Sequence, residues 1–303
     1  MSHGFALKLQ RLNMLAQTRD LRLPYLLLAP ALFVLLALSI YPLIYAVKVS
    51  FQVGTGAGAQ WSLQNFARLA SDRFFLEALK HTLVYAVVAL TLEFLFGLAL
   101  AVLLSSRLRG RGFFRAALLV PMMLPPVVVG VVWRLMLNPN FGAINGTLKG
   151  FGAGTDALTW TASPRLALIS VIMVDVWQWT PFMFLVLLAG LQAIPQEPYE
   201  AALIDGSSAW QTFRHVTLPL LKPAILIALL LRTMDLLRVF DQIFILTEGG
   251  PAFATETISL YIYRAAFRFS DFGYAAAMSF VLLILTNSIS LLYIRLLREQ
   301  ETA

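Results

Sequence analysis

The amino-acid sequence predicts an all-α protein, a polytopic transmembrane helical bundle of six spans. Hydrophobic residues make up 59% of the 303 and charged residues only 13%. Soluble domains are closer to half apolar and a quarter charged. Apolar runs near the ~20 residues that cross a bilayer as a helix recur along the whole chain. The ten-residue alternation of a membrane barrel is absent.

The six spans read as 24–47, 79–104, 116–137, 166–190, 219–245 and 274–295. Each crosses a hydrocarbon core of ~30 Å at 1.5 Å per residue with some tilt. Helices also satisfy the backbone internally, as lipid requires. The segment 1–23 before the first span is basic and polar, and no small-x-small cleavage site follows, so span one reads as a retained signal anchor. The remaining organisation is one membrane domain over 24–297 and a short tail at 298–303.

Orientation follows from short basic segments. Lys8, Arg11, Arg19 and Arg22 precede span one, Arg107, Arg109, Arg111 and Arg115 fill the turn between spans two and three, and Arg295 and Arg298 follow span six. With six spans all three lie on one side, which the positive-inside rule makes cytoplasmic together with both termini. The net charge of +7 thus serves topology and lipid headgroups and does not point to nucleic acid. On the far side, 52–60 reads as a flexible linker. Residues 138–165 read as a loop with turns at Asn138-Pro139 and Asn145-Gly146. Gly249-Gly250-Pro251 breaks the chain after span five, and Thr255 is the expected N-cap of a short helix towards Phe269.

Between spans four and five lies a charged, helix-forming insert, 197–217. Pro198 suits a first helical turn, Glu200 to Asp205 form a short helix, and Gly206 closes it in the left-handed conformation. Ser208 then caps a second helix, with Gln211 completing a capping box. That helix carries Trp210, Phe213 and Arg214 and is expected to end before Pro219. Small Ala201 and Ala202 permit close approach of a partner, while Glu200 and Asp205 can meet basic residues across an interface. An amphipathic helix lying on lipid is the bland alternative, but the acidic first half disfavours anionic headgroups.

Polar groups within the bilayer are costly and are functional candidates by default. Asp175, Gln178, Trp179 and Phe182 fall at i, i+3, i+4 and i+7, one face of span four. Carboxylates and amides can bond polar groups of a solute, and an indole face can stack on an apolar one. Thr180-Pro181 interrupts backbone bonding there. Span five carries Arg232, Asp235, Arg238 and Asp241 at steps of three, with Asp235, Arg238 and Gln242 on one face and Arg238 able to pair with either aspartate. These groups either hold helices together or line an aqueous pathway, and both readings stand. Glu93 and Arg134 are isolated in spans two and three and read as structural or interfacial.

The sequence holds no Gly-x4-Gly-Lys-Ser/Thr phosphate loop and no His-Glu-x2-His. It has no Gly-x-Ser-x-Gly elbow and no cysteine, and its three histidines are scattered. No enzymatic function and no metal site are expected.

Glu200-Ala201-Ala202, three residues, Gly206, nine residues, Val216, one residue and Leu218-Pro219 resemble the signature loop of bacterial ATP-binding-cassette importer permeases, with Val216 where Ile is preferred. A second stretch, 240–251 (FDQIFILTEGGP) with Tyr261-Ile262-Tyr263 beyond it, is similar to permeases for maltose, trehalose and glycerol-3-phosphate. The resemblance implies a type I ABC importer permease (MetI-like) fold. It implies coupling to ATPases through Glu200, Ala201, Ala202, Asp205 and Gly206. Asp175, Gln178, Trp179, Asp235, Arg238, Asp241 and Gln242 become candidates for the substrate pathway.

The implied partners are a second, non-identical permease, two ATPases that bind ATP and magnesium, and an extracytoplasmic sugar-binding protein. This chain itself would hold no cofactor. The expected cargo is a disaccharide or other small oligosaccharide, and the expected location is the bacterial cytoplasmic membrane. A non-sugar cargo and an ion-coupled carrier are the alternatives; such carriers often contain internal repeats, and none is evident.

Overall fold

The computed structural model describes residues 22–54, 60–105, 110–152 and 158–301. Lys8, Arg11, Arg19, Arg107 and Arg109 lie outside the described residues, as do most of the N-terminal segment and the middle of the 52–60 linker. The chain divides into two compact units, Met1–Val49 and Ser50–Ala303.

The first unit contains most of α1 (Arg22–Ser50), a single apolar helix that runs through Pro30 and Pro42. The second opens on a two-residue antiparallel ladder of β1 (Gln52–Val53) and β2 (Gln60–Trp61), with Gln52 opposite Trp61. The ends of the expected linker are therefore paired. Next come α2 (Gln64–Ser71) and α3 (Arg73–Ser105). Span two starts six residues before its apolar core because Asp72 caps it, accepting bonds from the N–H groups of Phe74 at 2.9 Å and Phe75 at 3.3 Å. The other oxygen of Asp72 accepts from the hydroxyls of Tyr261 at 2.8 Å and Tyr274 at 2.5 Å. Burial alone would raise this carboxyl, but the two tyrosine hydroxyls and the two backbone N–H groups together hold it below the usual carboxylate range.

Span three is not one helix, contrary to expectation. It consists of α4 (Arg111–Met123) and α5 (Pro126–Met136), bent by 95° at Leu124-Pro125. Consecutive Pro125 and Pro126 offer no N–H to the preceding carbonyls, and Leu124, as the residue before a proline, is pushed to extended backbone. The expected loop at 138–165 likewise holds a short helix, α6 (Ala143–Gly150). Asn145-Gly146 sits inside it rather than in a turn. Asn145 is buried there, donating to the carbonyls of Pro139 and Leu158 and accepting from the Trp160 indole at 2.7 Å. These bonds override its turn propensity.

The helix α7 (Pro164–Ala193) runs unbroken through Pro181 and forms the most extensive helix pair of the unit with α3. The buried stripe of α3 explains this. Ala78, Ala86, Ala89, Gly97 and Ala101 recur at helical spacing, so the backbones approach closely. After α7 come α8 (Glu197–Ile204) and α9 (Ala209–Thr212), a π-turn (Phe213–Thr217), and α10 (Leu218–Leu236). The second loop helix therefore does not end before Pro219. The Leu218 N–H bonds the Phe213 carbonyl five residues back. One extra residue in the turn makes room for the proline ring, and Ala209–Leu236 continues as one helix of 28 residues.

Span five ends at Leu236 rather than 245. A short α11 (Asp241–Leu246) follows a break and packs mainly on α5. Then come α12 (Ile258–Tyr263), a second π-turn (Arg264–Arg268) and α13 (Phe272–Glu301). The N-cap of α12 is Thr257. The expected cap, Thr255, instead bonds the Thr247 hydroxyl at 2.7 Å and the Gly250 carbonyl at 3.0 Å.

Gly97 is the tightest test of the α3–α7 contact. A β-carbon there would stand 2.8 Å from Met183 Cβ and 3.0 Å from the Phe184 amide nitrogen. Backbone cannot move aside cheaply, so Gly97→Leu is expected to destabilise the protein by about 1–3 kcal/mol. Thermal unfolding of the purified membrane complex measures this.

Candidate functional site

Two regions bring the sequence-designated residues together, and one helix joins them. The first is the α8–α9 corner. Glu197 and Glu200 lie in the first turn of α8, where the helix dipole favours negative charge. Gly206 adopts φ +70°. Its N–H bonds the Leu203 carbonyl at 3.1 Å, and the Ser207 N–H bonds the Ala202 carbonyl at 3.0 Å. That is a Schellman closure, which a side chain at 206 would strain. Ser208 and Gln211 form the expected capping box in both directions, at 2.8 and 3.4 Å. The corner is thus fixed by its own hydrogen bonds.

Its exposed surface differs in detail from the sequence reading. Glu200, Ala201, Asp205 and Gly206 are exposed, while Ala202 is buried. Leu203 is 78% and Ile204 86% exposed, with Trp210 stacked on Phe213 beside them. Sequence reasoning passed over the two aliphatic residues. Which face of this two-turn helix its own subunit covers is set by Ala202 packing inward, and that is visible only in the structure.

The second region lies where α3, α7, α10 and α11 meet. Arg232 of α10 is 2% exposed, yet all its charge is met. Nε donates to Glu93 Oε2 at 2.7 Å, and Nη2 donates to Glu93 Oε1 at 2.8 Å and to Asp175 Oδ2 at 2.7 Å. The guanidinium also stands 4.9 Å from the centre of the Trp179 ring. Glu93, which reads as isolated in the sequence, is the principal partner of this charge. Arg134 is partnered too, donating to the Ile245 carbonyl at 3.1 Å and so tying α5 to α11.

Above this triad opens a cavity of about 180 Å³, lined by Asp175, Trp179, Arg232, Asp235, Arg238, Asp241 and Gln242 among others. Six of the seven residues picked for the pathway therefore line one space. The seventh, Gln178, is fully buried behind it and bonds Gln242. The face expected of a continuous span five is not what assembles them. Asp235 and Arg238 pair at 3.6 Å at the end of α10, whereas Asp241 and Gln242 arrive on the separate α11.

The loop after α11 holds that short helix in place. Gly249 has φ +81° and is crowded by the Glu256 carboxylate, so neither its conformation nor its space admits a side chain. Glu256 is buried and pairs with Arg264 Nη2 at 3.3 Å, and Arg264 also donates to the Glu248 carbonyl. Burial pushes the Glu256 carboxyl up to about 7, with Arg264 and Arg268 pulling only part of the way back.

A membrane-spanning bundle with an open polar cavity among its helices fits a transport component. Comparison with known proteins specifies it. Residues 93–299 match the model of the binding-protein-dependent transport system inner membrane component, and the chain belongs to that family. It is a transporter subunit, not an enzyme. The chain is 39% identical over 280 residues to the trehalose/maltose transport system permease protein MalF of Thermococcus litoralis, covering 91% of this chain and 94% of the relative. It is 32% identical over 286 residues to the sulfoquinovosyl glycerol transport system permease protein SmoG of Agrobacterium fabrum, covering 93% and 92%. Among solved structures, a bacterial ABC transporter that imports the acidic polysaccharide alginate superposes with a TM-score of 0.82 at 24% identity, covering 95% of this chain and 99% of that one. That likeness establishes the MetI-like permease fold.

Arg232→Met leaves two carboxylates buried without their cation and is expected to cost about 3–5 kcal/mol. Combining it with Glu93→Leu should cost less than the two changes summed, which a double-mutant cycle in denaturant measures. Glu256 has a pH signature of its own. Its carboxyl rises from an ordinary 4.5 to about 7 on folding, so between those values the folded form holds more protons than the unfolded form. The stabilisation is full below about 4.5, is lost as pH rises to about 7 and is flat above. Amide exchange over 247–257 should therefore be slower at acid than at alkaline pH once corrected for intrinsic rates, and Glu256→Gln should abolish the difference.

Proposed function

We propose that this chain is one membrane subunit of an ATP-driven sugar importer and forms half of its translocation pathway. The α8–α9 corner faces the cytoplasm with both termini and docks on an ATPase through Glu200, Ala201, Asp205 and Gly206, with Leu203, Ile204 and Trp210 supplying apolar contact and the buried Ala202 holding the helix against its own subunit. The cavity residues Asp175, Trp179, Asp235, Arg238, Asp241 and Gln242, supported by Gln178, take a disaccharide or other small oligosaccharide. The partners are a second, similar permease, two ATPases carrying ATP and magnesium, and an extracytoplasmic binding protein that hands over the sugar.

One observation carries this reading. A single helix, Ala209–Leu236, begins in the capped corner and ends in the cavity. At 1.5 Å per residue it spans roughly 42 Å. A push on the corner is delivered along a stiff rod to Arg232 and Asp235, where it displaces the wall of the cavity relative to α7. Relatives whose names specify saccharide cargo, trehalose/maltose and sulfoquinovosyl glycerol among them, support the sugar class.

Replacing Glu200 by Ala and Gly206 by Leu together should abolish sugar uptake in proteoliposomes of the assembled transporter, while the subunit remains inserted at normal abundance. Normal uptake by that variant would remove the coupling role. With ATP held constant, a proton ionophore should leave wild-type uptake unchanged; loss of uptake would instead indicate an ion-driven carrier.

A further inference from the structure

The break in span three sets the hydrogen-bond polarity of the cavity. A carbonyl can only accept, and the Leu124 carbonyl at the break receives a bond from Gln178 Nε2 at 2.9 Å. The Gln178 oxygen must then face the other way, towards Gln242, whose Nε2 donates to it. The remaining atom of that amide, Gln242 Oε1, is buried and has no hydrogen-bond partner. Gln242 is 2% exposed and lines the cavity. Buried polar atoms in proteins are almost always bonded, to protein or to water, so this acceptor is left for a donor that enters the cavity.

The charges point the same way. Of the two guanidinium groups at the cavity, Arg232 is consumed by Glu93 and Asp175, and Arg238 faces Asp235. Asp241 has no cationic partner among the described residues. Three carboxylates line the space (Asp175, Asp235 and Asp241) against two cations, so its net charge is negative.

We infer that this cavity discriminates by charge and hydrogen-bond sense, accepting uncharged, donor-rich saccharides and rejecting acidic ones, with Gln242 the residue that takes the ligand's hydroxyl. The inference rests on the proposed sugar pathway and goes beyond it, because the same fold serves an importer of an acidic polysaccharide. Fold alone does not set the sign of the cargo.

The chain has no cysteine, which permits a direct test. Val239→Cys, on the cavity wall, is introduced into the assembled transporter without its binding protein, so that any selection belongs to the membrane subunits. Modification of this chain is followed by mass with a trimethylammonium methanethiosulfonate and with its sulfonate counterpart, each normalised to its rate with a free thiol. The cationic reagent should react about tenfold faster, and Asp235→Asn with Asp241→Asn should bring the two rates to parity. Maltose or trehalose should slow the modification and a disaccharide of uronic acids should not. Gln242→Leu should raise the maltose needed for protection roughly tenfold, the loss of one buried hydrogen bond.

Equal rates, or a faster anionic reagent, would overturn the inference. If both disaccharides protect equally, the sugar pathway stands and charge selection falls. If neither protects while the rate ratio holds, the cavity is negative but is not the sugar pathway, and the selection falls with it. Phe240→Cys serves as a second reporter; failure of both positions to react would show a space closed to solutes and overturn the inference as well.

Discussion

The protein is organised around one guanidinium almost wholly withdrawn from solvent. A charge at mid-bilayer costs several kcal/mol unless it is paired and fully hydrogen-bonded. Arg232 meets that condition only if α3 brings Glu93 and α7 brings Asp175 to the same point, within 2.8 Å. The triad therefore fixes the rotation of three helices about their axes. It also explains why the small-residue face of α3 is needed, since the pairing distances require closely approaching backbones. Trp179 covers one face of the guanidinium, and Trp179, Asp175 and Arg232 together form part of the cavity wall.

Rigid connection and local breaks have complementary roles. The second half of the corner, the π-turn and α10 form one continuous helix of 28 residues. The breaks lie elsewhere, at Leu124-Pro125 in span three and between α10 and α11. Both leave backbone groups without helical partners at membrane depth, which lipid does not tolerate unless protein satisfies them. Gln178 meets the Leu124 carbonyl, and α11 packs on α5 and α7. The irregular backbone thus faces the cavity, and the regular helices surround it.

Much of this was legible in the sequence wherever the signal is local. Apolar runs marked the spans, and Ser208, Gln211 and Gly206 announced the corner because caps depend on residues three or four apart. The choice of Asp175, Trp179, Asp235, Arg238, Asp241 and Gln242 also converged on one cavity. What escaped depends on distance in the chain. Glu93 and Arg232 are 139 residues apart, so no spacing rule could pair them. Pro125 and Pro126 were visible, but hydropathy continued across them and hid the 95° bend. Span five looked continuous to 245 for the same reason. Pro219 was read as a terminator because its usual effect on an α-helix ignores the alternative of a wider turn. Asn145-Gly146 misled because buried side-chain bonds outweighed a dipeptide preference.

The pairing of Arg232 also bears on how the chain enters the membrane. Spans are synthesised in order, and an arginine within a nascent helix opposes release into lipid, by about 2.5–3.5 kcal/mol at the helix centre and less towards its end, where Arg232 lies. Glu93 and Asp175 belong to earlier spans than Arg232, so both counter-charges are already embedded when the fifth span leaves the ribosome. The order of residues along the polypeptide thereby places both anions ahead of their cation, so the arginine meets its partners as it enters and the cost of waiting falls on the carboxyls, which protonation can neutralise.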